Sequence, residues 1–506
     1  EYKLMVSYIG YETNNMSVSF KNKSELNLSI KLTPDVILDV VSLIGDQAEF
    51  RKTPVSLSNV KLEKIEKELA GQEIPMLLNS TPGVYATQQG GGDGDVRINI
   101  RGFNQRNVAV MIDGVPMNDM ENGWVYWSNW DGLADATSSI QMQKGLSAQN
   151  LATPSIGGSM NIITDPSAQD RRGFFKQEIG AYGFLKSTLS YHSGLMMDDK
   201  LAMSGTVVRK TGDGYVKGTW TDAWAYYFDA VYNLNESHRI QFYALGAPQR
   251  HGQNLYKQNL GTYLEHDSDF MKNLEEDGYG FNSGSFSENG GEFAAAGRDF
   301  NQNVANISEA SQAILDAAGG QHWQMYSIQD GVSRHETDNL SERENSFHKP
   351  QVALNHYWTI NDGMSLSSSL YWSGGMGGGT GTYGTITTMD ANGISDAGTA
   401  ESNSYKFYYG PSPWTRDWDA LIAINSAPAG MAYAYKKEFN RGDKESIGIL
   451  RNSNNRQSTI GALTKLDYDI NETLTAQVGL DWRSAEIYHV KTVRDLLGGE
   501  YFVNTD

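Results

Sequence analysis

Two glycine runs, Gly90-Gly91-Gly92-Asp93-Gly94 and Gly374 to Gly379, have the composition of loops that hold phosphate through backbone N–H groups. Neither lies between a strand and a helix with a Lys-Ser/Thr ending, so both read as flexible turns. Asp93 and Asp95 imitate part of a calcium loop, but the later Glu of an EF-hand is missing. The nine His are scattered without the close spacing of a helical zinc motif. There is no Cys, which excludes a disulfide frame, a thiolate metal site and a Cys nucleophile. Acidic residues are plentiful, but nothing in their spacing places a catalytic pair together. The sequence thus predicts no catalytic residue, no metal and no cofactor. The densest chemistry is the segment Asn122 to Trp130, where Trp124, Tyr126, Trp127 and Trp130 crowd together. Aromatic rings offer stacking area for sugars, aromatic chelates or peptides, and serve equally for packing.

These residues need a frame, and composition narrows it. The 506 residues carry 60 Asp and Glu against 41 Lys and Arg, a net charge of -19, which is no footprint for nucleic acid. Mean hydropathy is -0.48. No apolar run reaches the ~18 residues of a membrane helix. Yet there are 53 Gly, 27 Tyr and 11 Trp. A transmembrane β-barrel reconciles these figures, because only alternate residues face lipid. A large soluble all-β protein has similar totals.

Periodicity separates the two. From residue 173 to 506 we count about eight strand candidates of membrane-spanning length. In the clearest, Ile460, Ala462, Leu466, Tyr468 and Ile470 alternate with Gly461, Lys465, Asp467 and Asp469. In the next, Leu474, Ala476, Val478, Leu480 and Trp482 alternate with Thr475, Gln477, Gly479, Asp481 and Arg483. Connections alternate in length. Met197-Asp198-Asp199, Asn233 to Ser237, Asn361-Asp362 and Asn471-Glu472 read as tight turns, whereas residues 246–348 and 374–456 read as long excursions. Short turns on one side and long loops on the other fit an outer-membrane barrel. The predicted class is mainly β: a mixed α+β unit, then the first strands of a large antiparallel transmembrane barrel of about 22 strands when complete. The expected parts are the end of a β-sandwich at 1–33, a linker at 34–53, the mixed unit at 54–165 and a partial barrel at 173–506. The chain opens at Glu1 without Met and stops at Asp506 without a closing element, so it reads as a piece of a longer one.

Motifs in the mixed unit resemble the plug of TonB-dependent receptors. One strand ends at Arg101-Gly102, and a second leads to Asp113-Gly114-Val115-Pro116. A later strand and a Gly-Gly-x-x-Asn-Ile-Ile run contain Gly157, Gly158 and Asn161. "IPMLLNSTPGV" (Ile74 to Val84) is similar to the early plug helix, and residues 1–33 resemble the end of the carboxypeptidase-regulatory-like domain of Bacteroidetes receptors. In that family Leu38-Asp39-Val40-Val41-Ser42 stands where the TonB box lies, though the same residues suit a plain linker strand. The resemblance implies an outer-membrane importer in a Gram-negative bacterium. It also implies a TonB-type energy-transducing partner and a scarce extracellular ligand: ferric siderophore first, otherwise vitamin, glycan or peptide. It places Trp124 to Trp130 at the outward face of the plug. The rivals are a passive porin-like channel and a soluble polysaccharide-active enzyme.

Overall fold

The computed structural model describes residues 2–6, 14–19, 28, 30, 56–90, 94, 96–145, 153, 155–255, 262–263, 296–319, 339–389, 395–398, 413–429, 442–471 and 473–504. Leu38 to Ser42 lie outside the described residues. At the N-terminus β1 (Tyr2–Val6) and β2 (Asn14–Val18) pair antiparallel.

The mixed unit starts with β3 (Ser56–Lys61) and α1 (Leu62–Glu68). Ile65 and Leu69 turn inward at helical spacing, while Glu63–Lys67 and Lys64–Glu68 pair along the outer face. The helix α2 (Ile74–Leu77) carries Pro75 in its first turn, where its missing N–H costs nothing. Asn79 then ties the helix end to the next strand by bonding both N–H and C=O of Ala86. The strands β4 (Val84–Thr87), β5 (Arg97–Ile100) and β6 (Phe103–Asn104) form one small sheet. A five-stranded sheet holds β7 (Val108–Ile112), β8 (Val115–Pro116), β9 (Ser139–Lys144), β10 (Gly158–Ile163) and β3, in the order β3-β9-β10-β7-β8. All of β7 and β10 is buried, because both faces of this sheet are covered.

The wall is an antiparallel meander. Its strands are β11 (Arg172–Ile179), β12 (Leu185–His192), β13 (Leu201–Gly212), β14 (Thr221–Asn233) and β15 (His238–Gly246). The chain then leaves the wall through β16 (Gln249–Gly252), β17 (Val304–Asn306), α3 (Glu309–Ala318), β18 (Asn339–Ser341) and β19 (Glu344–His348). It returns as β20 (Gln351–Asn361) and β21 (Met364–Gly384). A second excursion holds β22 (Ile386–Met389), β23 (Ser395–Gly398), β24 (Thr415–Arg416), α4 (Trp418–Ser426) and β25 (Glu445–Ser446). Then come β26 (Gly448–Asn471), β27 (Leu474–Asp495) and, beyond the wall, β28 (Tyr501–Phe502).

Among the described residues nine long strands thus follow one another in the wall, against the about eight read from the sequence. The glycine run Gly374 to Gly379 is strand, not turn, and this corrects the sequence reading. It lies within β21 between β19 and β26. A Cβ on Gly378 would stand 1.6 Å from Ser453 O, and one on Gly377 2.0 Å from Ser346 O. Glycine here lets three backbones approach closely. Among the described residues no ladder joins β11 to β27, so the sheet is open.

Register confirms the alternation. Leu366, Leu466 and Val478 lie side by side, as do Ser365, Asp467 and Gln477. The first set belongs to the outward face, where Ile460, Val478, Leu480 and Trp482 are more than half exposed. The second shares its face with Arg483, which donates to Thr153 of the enclosed unit at 3.0 Å. Inward Tyr227, Tyr243, Leu245, Ala353 and Tyr371 share one apolar core with the enclosed sheet.

The excursions carry more order than their composition suggested. Ile307, Leu315, Leu340, Trp418, Leu421 and Ile447 build a second core at the outer end. Asn425 pins it, donating to the carbonyls of Gly448, Leu496 and Leu497 and accepting from Ile447 N–H. Buried Arg416 pairs with Glu342 at 3.1 Å.

Candidate functional site: the two ends of the enclosed unit

Two turns carry the sequence motifs: Asp113-Gly114 at the inner end, and Arg101-Gly102 at the opposite end of the sheet, beside Gly145 and the Gly157-Gly158 pair. Arg101-Gly102 and Asp113-Gly114 both have positive φ at both positions (51° and 83°, 46° and 81°), the hairpin geometry that Asp-Gly favours. Asn161 Oδ1 accepts from Gly114 N–H at 3.2 Å and locks the second turn to β10. A Cβ on Gly158 would lie 2.1 Å from Gln143 O, and one on Gly157 2.7 Å from Phe103 Cβ, so this pair is required by close strand approach. Val115 and Pro116 form β8 and are buried.

Asp113 is the hinge of a buried polar network. It accepts from Thr164 N–H at 3.0 Å and from the Thr164 hydroxyl. Thr164 Oγ1 stands 3.1 Å from Asp229 Oδ2 on β14, and Gln241 on β15 donates to both carboxylates. Tyr227 donates to Asp229 at 2.9 Å. Burial pushes the Asp113 carboxyl up to about 7; nearby Asp165 adds to this, while the Thr164 bonds and Arg239 oppose it. Beside it Arg239 meets Asp165 at 2.8 Å, both buried.

At the outer end the loop from Asn118 to Trp130 is folded on itself. The Asn118 amide donates to Val108 O and Gly123 O and accepts from Val110 N–H. Asp119 Oδ1 accepts from the N–H groups of Glu121 and Asn122, and Asn122 Oδ1 from Trp124 N–H.

The four aromatics separate. Trp127 and Trp130 are only 3% and 4% exposed, so they are core residues and not ligand contacts. The reason is Gln105, which accepts from Trp127 Nε1 at 3.1 Å and donates to Val125 O, drawing the loop inward. Trp124 lies between Arg97 and Arg106, whose guanidinium carbons are 4.5 and 4.9 Å from its ring centre. Tyr126 remains half exposed and lines a cavity of about 130 Å³.

The floor of that cavity is the loop, with Asp119, Glu121, Asn122, Ser128 and Asn129. Its wall is Asn345 and Phe347 of β19, Gly378 of β21, Asn455 and Gln457 of β26, and Ile487 and His489 of β27. Floor and wall touch where Glu121 Oε2 is 2.8 Å from His489 Nε2, and within the wall Asn455 Oδ1 is 2.7 Å from His489 Nδ1. Sequence reasoning missed these polar residues. The available signal was parity, since Asn455, Gln457, Ile487 and His489 are all odd positions on strands whose odd positions face inward.

The comparisons fit this geometry. Residues 49–159 match the family model described as the TonB-dependent Receptor Plug Domain. The chain is 27% identical over 197 residues to TonB-dependent receptor P39 of Formosa agariphila, covering 38% of this chain and 17% of that protein. It is 25% identical over 209 residues to the vitamin B12 transporter BtuB of Vibrio cholerae, covering 38% of this chain and 33% of that one. The matches thus span a third or less of these curated relatives. The solved structure of P. aeruginosa FpvA bound to heterologous pyoverdines is similar in fold, with a TM-score of 0.50 at 11% identity, covering 88% of this chain and 43% of that one. A five-stranded sheet packed against a strand wall, held by the Asp113-Gly114 and Gly157-Gly158 turns and matched by that family model, identifies residues 49–159 as a plug domain of the TonB-dependent receptor type.

Proposed function

We propose that the chain is the plug and part of the barrel of an outer-membrane importer in a Gram-negative bacterium. One observation carries the reading: the plug shares its core with the wall, yet its outer loop leaves a polar cavity between plug and wall. A ligand seated there touches both bodies, so its binding can bias how the plug sits in the barrel. An energy-transducing partner of the TonB type then acts on the plug from the inside. Leu38 to Ser42 is the segment proposed to pair with it as an extended strand, and residues 1–33 are proposed as the end of a regulatory-like domain. Import of this kind needs no catalytic residue. The family offers ferric siderophore, vitamin, glycan or peptide as cargo.

Conductance tests this against a passive channel. The full-length receptor in a planar bilayer is expected to stay closed, and a variant lacking residues 54–165 to conduct. Steady conductance from the intact protein would support the passive channel. For the partner segment, Val40→Pro removes a backbone donor and fixes φ. It is expected to abolish binding of a purified TonB periplasmic domain, and unchanged binding would place the box elsewhere.

A further inference from the structure

We infer that the cavity at the plug apex is built for an uncharged, hydroxyl-rich ligand of the oligosaccharide class; this rests on the receptor reading above. The argument starts from charge. Among the described residues that line the cavity there is no Lys or Arg, while Asp119 and Glu121 supply two carboxylates. Of the cations nearby, Arg97 and Arg106 lie over Trp124, Lys349 is buried over the Trp130 ring, and Arg483 pairs with Asp481. An anionic chelate would be brought against two carboxylates, with none of these cations lining the cavity to repay its desolvation.

Hydrogen-bonding capacity points the same way. Five amides line the cavity: Asn122, Asn129, Asn345, Asn455 and Gln457. An amide both donates and accepts, as a hydroxyl does, so amides and hydroxyls match pairwise. Asn129 is 4% exposed, and its Oδ1 is buried without a partner. A buried acceptor left unmade is costly, and it calls for a donor from the ligand. Sugar hydroxyls supply donors in number, whereas a ferric tricatecholate presents mainly oxygen acceptors. Tyr126 and Phe347 add ring faces for the apolar C–H side of a pyranose.

The test uses the full-length receptor in detergent and titration calorimetry. The probes are linear neutral hexasaccharides of glucose, mannose and xylose, and a ferric tricatecholate. At least one hexasaccharide is expected to bind, with an affinity unchanged between about 50 and about 500 mM salt, as befits an uncharged ligand. Asn129→Ala is expected to weaken it about tenfold. Tyr126→Ala, at a half-exposed position where the core is untouched, is expected to do the same. Binding of the ferric tricatecholate would overturn the inference, as would failure of every hexasaccharide or an affinity that collapses with salt. The bilayer measurement on the same preparation separates the two readings. A closed receptor that refuses sugars overturns only the ligand class, and an open one overturns the receptor reading as well.

Discussion

The two ends of the plug meet the same wall by different means. At the inner end the contacts are buried, charged and short: Arg239 to Asp165, and Asp113 through Thr164 to Asp229. At the outer end Glu121 meets His489 with both side chains about half exposed, and Asn129 keeps a buried oxygen unsatisfied. Buried ion pairs are costly to break and exposed ones contribute little. The inner end therefore holds the plug through buried charge, while the outer end is joined to the wall by an exposed pair and is where the proposed ligand would add its own bonds.

The largest way to break this contrast is at the inner end. Asp165→Ala leaves Arg239 buried without its partner and removes the acceptor for Ser167 N–H. The plug is expected to lose about 3–5 kcal/mol, read by thermal unfolding in detergent. Glu121→Gln at the outer end should be near neutral in the same assay.

Proton uptake comes next. The Asp113 carboxyl titrates at about 7 in the folded plug, against an ordinary value of 3.8. Between those values the folded state holds a proton that the unfolded chain releases. This contribution is complete below about pH 4 and is lost as pH rises through about 7. Plug stability should therefore fall by an amount on the order of a few kcal/mol across that window. Asp113→Asn should flatten the profile in denaturant titrations at each pH, and an unflattened profile would assign the proton to another group.

A third substitution tests the outward face of the wall. Leu480 is 63% exposed on the side away from the plug. Leu480→Lys is expected to cost about 2–4 kcal/mol in lipid, whereas Gln477→Lys on the inward face should be nearly silent. Equal effects would remove the argument that the two parities face different media.

Much of this is legible in the sequence. The alternation of β26 and β27 gave both faces, because a strand has period two and one face is apolar. The Asp-Gly and Gly-Gly motifs marked positions where only a particular backbone fits. The order of the loop layer was hidden, since Trp418, Leu421 and Leu315 look like isolated apolar residues until the chain brings them together. The cavity was hidden for a related reason: Glu121 and His489 are 368 residues apart, and only the register of the wall makes them neighbours. The glycine strand β21 was misread because a loop and a close strand contact both ask for glycine.

The smallest expected effect concerns Trp124, which the sequence grouped with the ligand contacts. It is not among the cavity residues, and its ring is covered by Arg97 and Arg106. Each such contact contributes about 0.5–1 kcal/mol at a partly exposed site. Trp124→Leu removes both, so the plug should lose about 1–2 kcal/mol in thermal unfolding. Ligand affinity, measured by calorimetry with the hexasaccharide that binds, should stay within about twofold, because neither Tyr126 nor Asn129 depends on that ring for its position: Asn129 N–H bonds Tyr126 O directly. A large loss of affinity without loss of stability would return Trp124 to the ligand site and would mean that the outer loop rearranges when the cavity is filled.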